Sequence, residues 1–584
     1  MREDAIGTAG SAAPDCSRDA WWTSAVVYQV YVRSFADSNA DGVGDLPGLL
    51  AHLDYLGDLG VDVIWLSPVY RSPQKDNGYD VSDYQDVDPL FGSLEQLDEL
   101  IHAIHSRGMR LIMDLVVNHT SDEHPWFIES RDRTAKADWY FWRDARPGAA
   151  PGAPGSEPNN WGSAFSGPAW EWSPARGQYY LHLFSVGQPD LNWDNPEVRE
   201  AVFEMMGWWL DRGVDGFRLD VINFISKDPA LPDGPVTPTG FGDGMPYFSY
   251  GPQIHAYLAE MKHRVFASRP GSYLTVGEMP GVTPEQARHF TDRRRGQLAM
   301  VLQFDHVALD HAGDKWTERA ITVRDLRDTL ARWQDALGEE GWNSLYWSNH
   351  DQPRVVSRFG NDRYYWRQSA TALATVLHLQ RGTPFIYQGE ELGMTNVPFA
   401  AIGSFRDVET LNYYQDATGR LGQHAAVVLR ILRRKSRDNA RTPMQWSGEP
   451  GAGFTDGEPW IPINPNHRWI NATSQTADPD SIYGYYRSLI ALRHSDPIVV
   501  HGAFAVLDIE PPSLYAFSRQ LGEQRLDIYA NLSDTPAPVG VVEPELGLDD
   551  IVLGNYVSGA RREGLLQPWE ARVYRRRWPA PMPG

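Results

Sequence analysis

Short apolar runs alternate along most of the chain with longer stretches in which apolar residues recur every three or four positions. The runs are rich in valine, isoleucine, leucine and aromatic residues, and eight of them stand in order at residues 26–32, 61–66, 110–117, 216–222, 273–276, 300–304, 344–347 and 384–387. Continuous apolar runs separated by helices predict parallel strands that are buried on both faces. Eight such units predict an α/β fold of the (β/α)8 TIM-barrel class.

The stretches between the runs carry the spacing of amphipathic helices. Residues 94–105 place apolar side chains at positions i, i+3 and i+4, which predicts a helix with one buried face. A second helix is predicted over residues 196–209, because Asn195 is a suitable N-cap and acidic residues occupy the first turns.

Two connections are longer than a single helix requires, and they predict how the chain is divided. The segment after the third run is rich in Trp, Gly, Pro and Asn, which predicts a small subdomain beside the barrel. Near the C-terminus the pattern changes to short alternating strands, expected at 503–509, 513–519, 525–530 and 571–576. The predicted divisions are a flexible or disordered N-terminus at 1–20, the barrel at 21–119 and 195–502, the inserted subdomain after strand 3 at 120–194, and a C-terminal antiparallel β-domain at 503–584.

Composition narrows the classes of ligand. The 53 Lys and Arg residues and 76 Asp and Glu residues give a net charge of −23 at pH 7. Such a surface repels phosphate backbones and anionic lipid, so we expect a small neutral ligand and no nucleic acid. The 22 Trp residues fit either a large core or flat faces that stack on sugar rings, and the count alone leaves both interpretations open.

Cys16 is the one cysteine, so neither an intrachain disulfide nor a cysteine cluster for a metal can form. A single cysteine fits a reducing compartment. Residues 1–20 lack the apolar segment of a signal peptide, and no apolar run approaches the roughly 18 residues that a membrane span needs. We therefore expect a cytoplasmic protein that has no membrane partner, and the oligomeric state stays open.

Charged and polar side chains stand where four of the predicted strands end. These residues are Asp114, Asn118 and His119 for the third run, Arg218 and Asp220 for the fourth, Glu278 for the fifth, and Asn349, His350 and Asp351 for the seventh. Burying an acid in or just after an apolar strand is costly unless the acid is paired or takes part in chemistry. A structural salt bridge would explain any one of these acids. Four strand ends that all carry an acid predict a polar site on one face of the barrel.

These four blocks resemble the short signature regions of the α-amylase family of glycoside hydrolases (family 13). Further blocks are similar to the oligo-1,6-glucosidase subgroup of that family: DNGYD at 76–80, QPDLNW at 188–193, FRLDVINFISK at 217–227, GEMPG at 277–281, DVETLNYY at 407–414 and SRDNARTPMQW at 436–446. The resemblance covers roughly residues 21–500, and it implies a glycosidase built on the predicted barrel.

Cleavage of a glycosidic bond needs one carboxylic acid that protonates the leaving oxygen and one carboxylate that attacks the anomeric carbon. The resemblance implies Asp220 as the nucleophile and Glu278 as the acid/base. Arg218 shares a strand face with Asp220, so its guanidinium can keep that carboxylate ionised. Glu278 must stay protonated until it acts, and we expect its pKa to be raised. Asp351 matches the third carboxylate of the family, which binds hydroxyls of the substrate sugar and distorts its ring.

The resemblance also implies a set of sugar-binding residues. Asp76 and Arg437 would close the far end of the pocket in an exo-acting enzyme, and a surface ion pair is the alternative interpretation. Tyr79 would be the stacking platform beneath the terminal sugar. The other implied contacts are His119 and His350 as hydroxyl donors and Phe165 and Gln188 as further lining of the same subsite.

Val221, directly after the implied nucleophile, resembles the residue of members that prefer α-1,6 linkages. We therefore expect a retaining exo-acting α-glucosidase that releases glucose from the non-reducing end of short α-glucosides such as isomaltose. An α-1,4-preferring α-glucosidase or glucosyltransferase, a sucrose isomerase and a trehalose-6-phosphate hydrolase stay open as alternatives. Residues 304–311 lack the arginines of sucrose isomerases, and the scarcity of lysine weakly disfavours a phosphate site. A non-catalytic sugar-binding relative is disfavoured because the three implied carboxylates are present.

Residues 37–45 form a separate constellation that resembles a calcium loop, with oxygen side chains at alternating positions and glycine at the sixth. The twelfth position is Gly48, so the loop is not a true EF-hand. The subgroup carries a similar loop, which implies a structural Ca²⁺ or Mg²⁺ ion, and no organic cofactor is expected. The implied ligands are the side chains of Asp37, Asn39, Asp41 and Asp45 and the carbonyl of Val43, and a polar loop of Asx-turns is the alternative.

Overall fold

A computed structural model describes residues 20–507, 511–539 and 547–577. Its largest sheet has eight strands: β1 (Val27–Val30), β2 (Val63–Leu66), β3 (Arg110–Leu115), β4 (Gly216–Leu219), β5 (Leu274–Glu278), β6 (Met300–Leu302), β7 (Ser344–Tyr346) and β8 (Thr383–Tyr387). Strands β1 to β6 pair in parallel in chain order, β1 also pairs with β8, and β8 pairs with β7. The eight predicted strands are confirmed, and each boundary lies within a few residues of its prediction.

Side-chain hydrogen bonds join the two edge strands β6 and β7, which brings the sheet close to a full barrel. Ser344 Oγ donates to the Val301 carbonyl at 2.6 Å. The Tyr346 hydroxyl donates to the Gln303 carbonyl at 2.5 Å. The barrel interior is filled by side chains such as Val63, and apolar residues between the strands and the surrounding helices form the larger part of the core.

Helices follow the strands as a (β/α)8 barrel requires. Their bounds are Leu46–Ala51, Leu53–Leu59, Leu94–Ser106, Pro196–Asp211, Met245–Phe248, Ile254–Met261, Pro284–Thr291, Val323–Leu337, Val355–Arg358 and Trp366–His378 up to strand β8, and Val408–Gln415, Ala425–Lys435, Asp438–Arg441, Ala472–Thr476, Ile482–Ser495 and Pro497–His501 after it. Both predicted helices are confirmed. Asn195 caps the second of them, because its side chain accepts a hydrogen bond from the Glu197 amide at 2.9 Å.

The long connection between β3 and β4 forms a subdomain over one side of the barrel. It contains the helix Pro125–Arg131 and a three-stranded antiparallel sheet of Trp142–Arg143, Gln178–Leu181 and Trp170–Ser173. An isolated β-bridge between His119 and Asp190 ties the subdomain to the end of β3. A short hairpin of Tyr70–Arg71 and Asp83–Val87 follows β2.

The C-terminal part is a five-stranded antiparallel sheet. In spatial order its strands are Ala503–Val506, Leu514–Leu521, Gln524–Asn531, Ala571–Arg577 and Ile551–Gly554. The strand Ile551–Gly554 was not predicted, because its half-buried residues show no clear alternation. The end of the strand expected at 503–509 and the N-terminus expected to be flexible at 1–20 fall, apart from Ala20, outside the described residues. In the described ranges, no helix combines the length and the apolar character that crossing a bilayer demands.

Candidate active site

The polar strand ends meet around one pocket of about 240 Å³ at the carboxyl end of the barrel. Strands β3, β4 and β5 carry Asp114, Arg218 and Glu278, and the chain just beyond β4 supplies Asp220. The predicted residues that line the pocket are Asp76, Tyr79, His119, Phe165, Asp220, Val221, Glu278, Asp351 and Arg437. Gln188, Arg218 and His350 are buried behind that lining and contact it.

The guanidinium of Arg218 joins three acids at the floor of the pocket. Its Nη1 lies 2.6 Å from Asp220 Oδ1 and 2.6 Å from Asp114 Oδ1. Its Nη2 lies 2.5 Å from Glu278 Oε1. The sequence predicted the contact with Asp220 but not the contact with Glu278, because the latter joins two different strands. One buried cation therefore orients both carboxyl groups of the implied pair.

Burial separates the protonation states of the two carboxyl groups. Desolvation raises the pKa of Asp220 to about 6, and the Arg218 charge opposes that rise. Desolvation raises the pKa of Glu278 to about 8, and the negative charges of Asp220 and Asp351 add to the effect. Near pH 7 Asp220 is mostly ionised and Glu278 is mostly protonated, which are the states that a nucleophile and a general acid need.

The far end of the pocket is closed by a buried ion pair. Arg437 Nη2 lies 3.1 Å from Asp76 Oδ1, and both side chains are less than a tenth exposed. Gln188 Nε2 donates to the other oxygen of Asp76 at 3.0 Å. The alternative of a surface ion pair is wrong, because both side chains are largely buried and line the pocket.

Arg437 also reaches the acids on the other side of the pocket. Its Nη1 lies 3.2 Å from Asp351 Oδ1, and its Nη2 lies 2.5 Å from Asp407 Oδ1. Arg441 contacts the same two acids at 2.9 and 3.0 Å. Burial alone would raise the pKa of Asp351, but the neighbouring His350 and the two guanidinium groups outweigh it and hold that pKa well below its ordinary value. Asp351 is therefore ionised throughout the neutral range.

Aromatic rings support this closed end. The rings of Tyr79 and His350 are stacked, with centroids 5.0 Å apart and planes 3° apart. The Tyr79 hydroxyl donates to Asp114 at 3.1 Å, which fixes the ring. The guanidinium of Arg437 lies 4.8 Å from the ring centroid of Phe165. His119 Nε2 is within 3.1 Å of the Tyr79 carbonyl, so the implied hydroxyl donor is itself held in place.

Val221 has an uncommon backbone conformation at the side of the pocket. Its φ of 35° lies in the left-handed region, which a β-branched residue rarely adopts. Its amide donates to Glu278 Oε2 at 3.3 Å. The strained residue therefore places an apolar side chain beside the implied acid and also binds that acid through its backbone.

Known proteins are similar to this chain over nearly its whole length. A family model described as the catalytic domain of alpha amylase matches residues 29–502. The chain belongs to the α-amylase family. The resemblance drawn from the short blocks is thereby confirmed, and the protein is a glycoside hydrolase of this family.

Individual members of the α-amylase family are similar to this chain over almost its whole length. The oligo-1,6-glucosidase of Parageobacillus thermoglucosidasius is 50% identical over 568 residues, which are 96% of this chain and 99% of that protein. The solved trehalose-6-phosphate hydrolase of Bacillus licheniformis has a TM-score of 0.88 at 42% identity, with 95% of this chain and 99% of that chain covered. An isomaltulose synthase of Erwinia rhapontici has a TM-score of 0.90 at 41% identity, with the same coverage. Because these names differ, the reaction has to be argued from the site.

The site of this chain also contains two buried residues that the sequence analysis did not single out, Asp407 and Arg441. Both are fully buried, and both belong to the ion network around Arg437. The opposing Arg437 and Arg441 charges outweigh burial and lower the pKa of Asp407 to about 2. The blocks at 407–414 and 436–446 contained the signal, but nothing in them indicates which charges of two separate loops meet.

The loop at residues 37–45 curls through hydrogen bonds between its own side chains and backbone. Asp37 Oδ1 accepts from the Asn39 amide at 2.9 Å, and Asp41 Oδ1 accepts from the Val43 amide at 2.8 Å. Asp45 caps the following helix. Across the described ranges no three His, Cys, Asp or Glu side chains are grouped to hold a metal. Carboxylate, amide and carbonyl oxygens are the ligand types of a hard cation, and an ion at this loop stays a prediction.

Proposed function

We propose that the protein is a retaining exo-acting α-glucosidase that releases glucose from the non-reducing end of short α-glucosides and prefers α-1,6 linkages. The observation that carries this proposal is the buried pair of Asp76 and Arg437 at the closed end of the pocket. A pocket that ends in fixed charges has room for the hydroxyls of one terminal sugar and none for a longer chain beyond it. Cleavage is therefore confined to the chain end.

The chemistry follows from the protonation states. Glu278 gives its proton to the glycosidic oxygen while the ionised Asp220 attacks the anomeric carbon, and a glucosyl ester on Asp220 results. Glu278 then takes a proton from water as the water attacks the same carbon from the opposite face. Two inversions return the α configuration. Arg218 holds both carboxyl groups through both steps.

The preference for α-1,6 linkages rests on Val221 and on the relatives. A stiff β-branched side chain beside the acid can crowd the position of an α-1,4-linked sugar and leave the longer α-1,6 path open. Its fixed left-handed backbone strengthens that argument, because the side chain cannot turn away easily. The relative from Parageobacillus thermoglucosidasius is named an oligo-1,6-glucosidase, which supports the same preference.

The alternative of a trehalose-6-phosphate hydrolase needs a cation that is available to a phosphate group. The cations Lys315, Arg358 and Lys435 line the outer pocket. Lys315 lies 2.6 Å from Glu409, and both Arg358 and Lys435 pair with Asp310. Each of these cations already has a carboxylate partner, which weakens its attraction for a phosphate, so a neutral glucoside is favoured.

A product profile tests the proposal. We expect glucose from isomaltose and panose, a lower kcat/KM on maltose, no isomerisation of sucrose and no preference for trehalose-6-phosphate over trehalose. A kcat/KM that is highest on trehalose-6-phosphate, or rearrangement of sucrose to another disaccharide, would replace the proposed function with the corresponding alternative.

Three finer features complete the proposal. A Ca²⁺ or Mg²⁺ ion held by the loop at residues 37–45 would stabilise the fold and take no part in the chemistry. Transfer of the glucosyl group to a second sugar would compete with hydrolysis at high substrate concentration, as measured by new oligosaccharides. A cytoplasmic location is supported by the single cysteine, and fractionation of cells tests it.

A further inference from the structure

Gln29 is a polar residue inside the barrel. It lies on β1 within the apolar run at residues 26–32, and it is 1% exposed. Val27 packs with Val63 in the barrel interior, and Gln29, two residues further along the strand, points the same way. A buried amide costs free energy unless it is hydrogen-bonded, so its partners explain why a glutamine stands here.

The main partner of this amide is a histidine of the candidate site. Gln29 Nε2 lies 2.8 Å from His350 Nδ1, and it also donates to Ser67 Oγ at 3.3 Å. An amide nitrogen can donate a hydrogen bond but cannot accept one. His350 Nδ1 must therefore accept, which means that it carries no proton.

The other ring nitrogen of His350 faces a carboxylate. Its Nε2 lies 3.3 Å from Asp351 Oδ2, and Arg437 and Arg441 hold that carboxylate ionised through their contacts with its Oδ1. An ionised carboxylate only accepts hydrogen bonds. His350 Nε2 must therefore carry the proton, so the contacts on both sides of the ring require the same tautomer.

The tautomer matters because the ring has only one proton to place. Burial lowers the pKa of His350 to about 3, although the charge of Asp351 opposes the shift, so the ring is neutral at pH 7. A neutral imidazole donates from one nitrogen and accepts at the other. The side from which His350 donates thus depends on what its Nδ1 contacts.

The orientation of the Gln29 amide follows from the same charges. Its Oε1 has no hydrogen-bond partner among the described residues. Turning the amide by 180° would place Oε1 against His350 Nδ1 and draw the proton to that nitrogen. The bare Nε2 would then direct its lone pair at the ionised Asp351, which is repulsive, so the orientation with Nε2 toward the ring is favoured.

Aromatic packing alone does not make this choice. The ring of His350 is stacked on Tyr79, with planes 3° apart, and it meets the ring of Trp65 edge-on at 89°. These contacts fix the plane of the imidazole, but they are nearly the same when the ring is flipped within that plane. The hydrogen bond from Gln29 distinguishes the two flipped positions, because only one of them presents Nδ1 to the amide.

We propose that Gln29 is a positioning residue for glycoside cleavage, which holds His350 as the Nε2–H tautomer so that the ring donates toward Asp351 and the terminal sugar. The inference rests on the proposed function and adds a residue to its machinery. Gln29 itself is buried and does not line the pocket, so it acts through His350. Without the amide, Nδ1 can take the proton, and a bare Nε2 then faces the acceptors that it should bind.

Neutron diffraction from crystals of the deuterated wild-type protein tests the tautomer directly. We expect a deuteron on His350 Nε2 and none on Nδ1. A deuteron on Nδ1, alone or together with one on Nε2, would overturn the inference. This result does not depend on which glucoside the enzyme cleaves, so the proposed function and the inference can fail separately.

Gln29→Met removes the amide and keeps a side chain of similar length. With the best-cleaved α-glucoside, kcat/KM should fall by roughly 10- to 100-fold, because a hydrogen bond that orients a buried donor is lost. Gln334→Met is the matched control, since Gln334 is also a buried amide, donates to the Arg381 carbonyl at 3.0 Å and lies on the helix Val323–Leu337, outside the site. The control should change kcat/KM by less than about twofold, and thermal melting shows whether both variants fold.

A double-mutant cycle with His350→Asn separates positioning from a general loss of structure. If Gln29 acts through His350, the double variant should be within about twofold of His350→Asn alone. A double variant whose loss equals the product of the two single losses would overturn the inference, as would an unchanged kcat/KM in folded Gln29→Met. If Gln29→Met does not fold, the neutron map of the wild-type protein decides alone.

Discussion

The two ends of the substrate site are built from opposite chemistry. At the closed end, Arg437 lies among the acids Asp76, Asp351 and Asp407. On the leaving-group side, Val221 separates the implied acid from a cavity lined mainly by aromatic and aliphatic side chains. The first end can satisfy the hydroxyls of one sugar, and the second can exclude or accept a group by its shape and its apolar surface.

The difference indicates how the site divides recognition. Buried charges discriminate sharply, because a ligand that fails to pair with them leaves them desolvated. Apolar walls discriminate weakly, since a misplaced methyl group costs only about 1–3 kcal/mol. We therefore expect strict selection for the terminal glucose and graded selection for what is attached to it.

Removing the central charge of the closed end should have the largest effect. Arg437→Ala removes the cation that pairs with the buried Asp76 and the contacts to the terminal sugar, so kcat/KM on isomaltose should fall by roughly 10²- to 10³-fold. Arg434→Ala is the control, because its side chain is 69% exposed and it belongs to the neighbouring helix. Steady-state kinetics and thermal melting of both variants check the prediction. A loss below tenfold in a folded Arg437→Ala protein would contradict the role of the pair.

The pH dependence of the activity should report the two catalytic carboxyl groups, which lie between the two ends of the site. Activity should fall about tenfold per unit below pH 6, where Asp220 with its pKa of about 6 becomes protonated. It should fall similarly above pH 8, where Glu278 with its pKa of about 8 loses the proton that it must donate.

The control for the pH profile is a substrate whose leaving group needs no proton. With 4-nitrophenyl α-glucoside the alkaline limb should weaken and the acid limb should persist. If both substrates lose activity equally above pH 8, a group other than Glu278 controls the alkaline limb.

The apolar wall should give a smaller and graded effect. Wild-type protein should prefer isomaltose to maltose by roughly 10- to 200-fold in kcat/KM, which is the range that one or two crowded methyl groups can supply. Val221→Thr should raise kcat/KM on maltose and change that on isomaltose less. Val236→Thr, at an exposed position, should leave the ratio unchanged. An enzyme that already prefers maltose, or a ratio that Val221→Thr does not move, would show that Val221 has no part in linkage choice.

The smallest effect should come from the loop at residues 37–45, which lies outside both ends. A chelator should lower the melting temperature by roughly 2–5 °C if the loop binds a divalent ion, because the ion stabilises only the folded state. Initial rates at 25 °C should not change. Elemental analysis that finds no Ca²⁺ or Mg²⁺, together with an unchanged melting temperature, would rule the ion out.

The barrel could be predicted from the sequence because its signal is local. The eight apolar runs each correspond to a strand, and Asn195 marks the start of its helix. The strand Ile551–Gly554 was missed because its residues are half-buried or exposed and therefore carry no clear pattern. Local patterns follow burial, so they fail where burial is partial.

The site was predictable as a set of residues but not as a network. Nine of the twelve predicted catalytic and sugar-binding residues line one pocket, and the other three lie directly behind it. The contact between Arg218 and Glu278 and the place of Asp407 beside Arg437 depend on which loops meet in space. The left-handed backbone of Val221 was also invisible, because valine has no preference for that conformation.

The first cleavage of isomaltotriitol tests the proposed function most directly. This reduced trisaccharide has no anomeric equilibrium of its own, so the first free anomer seen by NMR comes from the enzyme. A retaining exo-acting α-glucosidase must release α-glucose and isomaltitol first, with β-glucose appearing only by later mutarotation. If β-glucose appears first, or if isomaltose and glucitol are the initial products, the roles given to Asp220 and Glu278 or to the closed end at Asp76 and Arg437 are wrong.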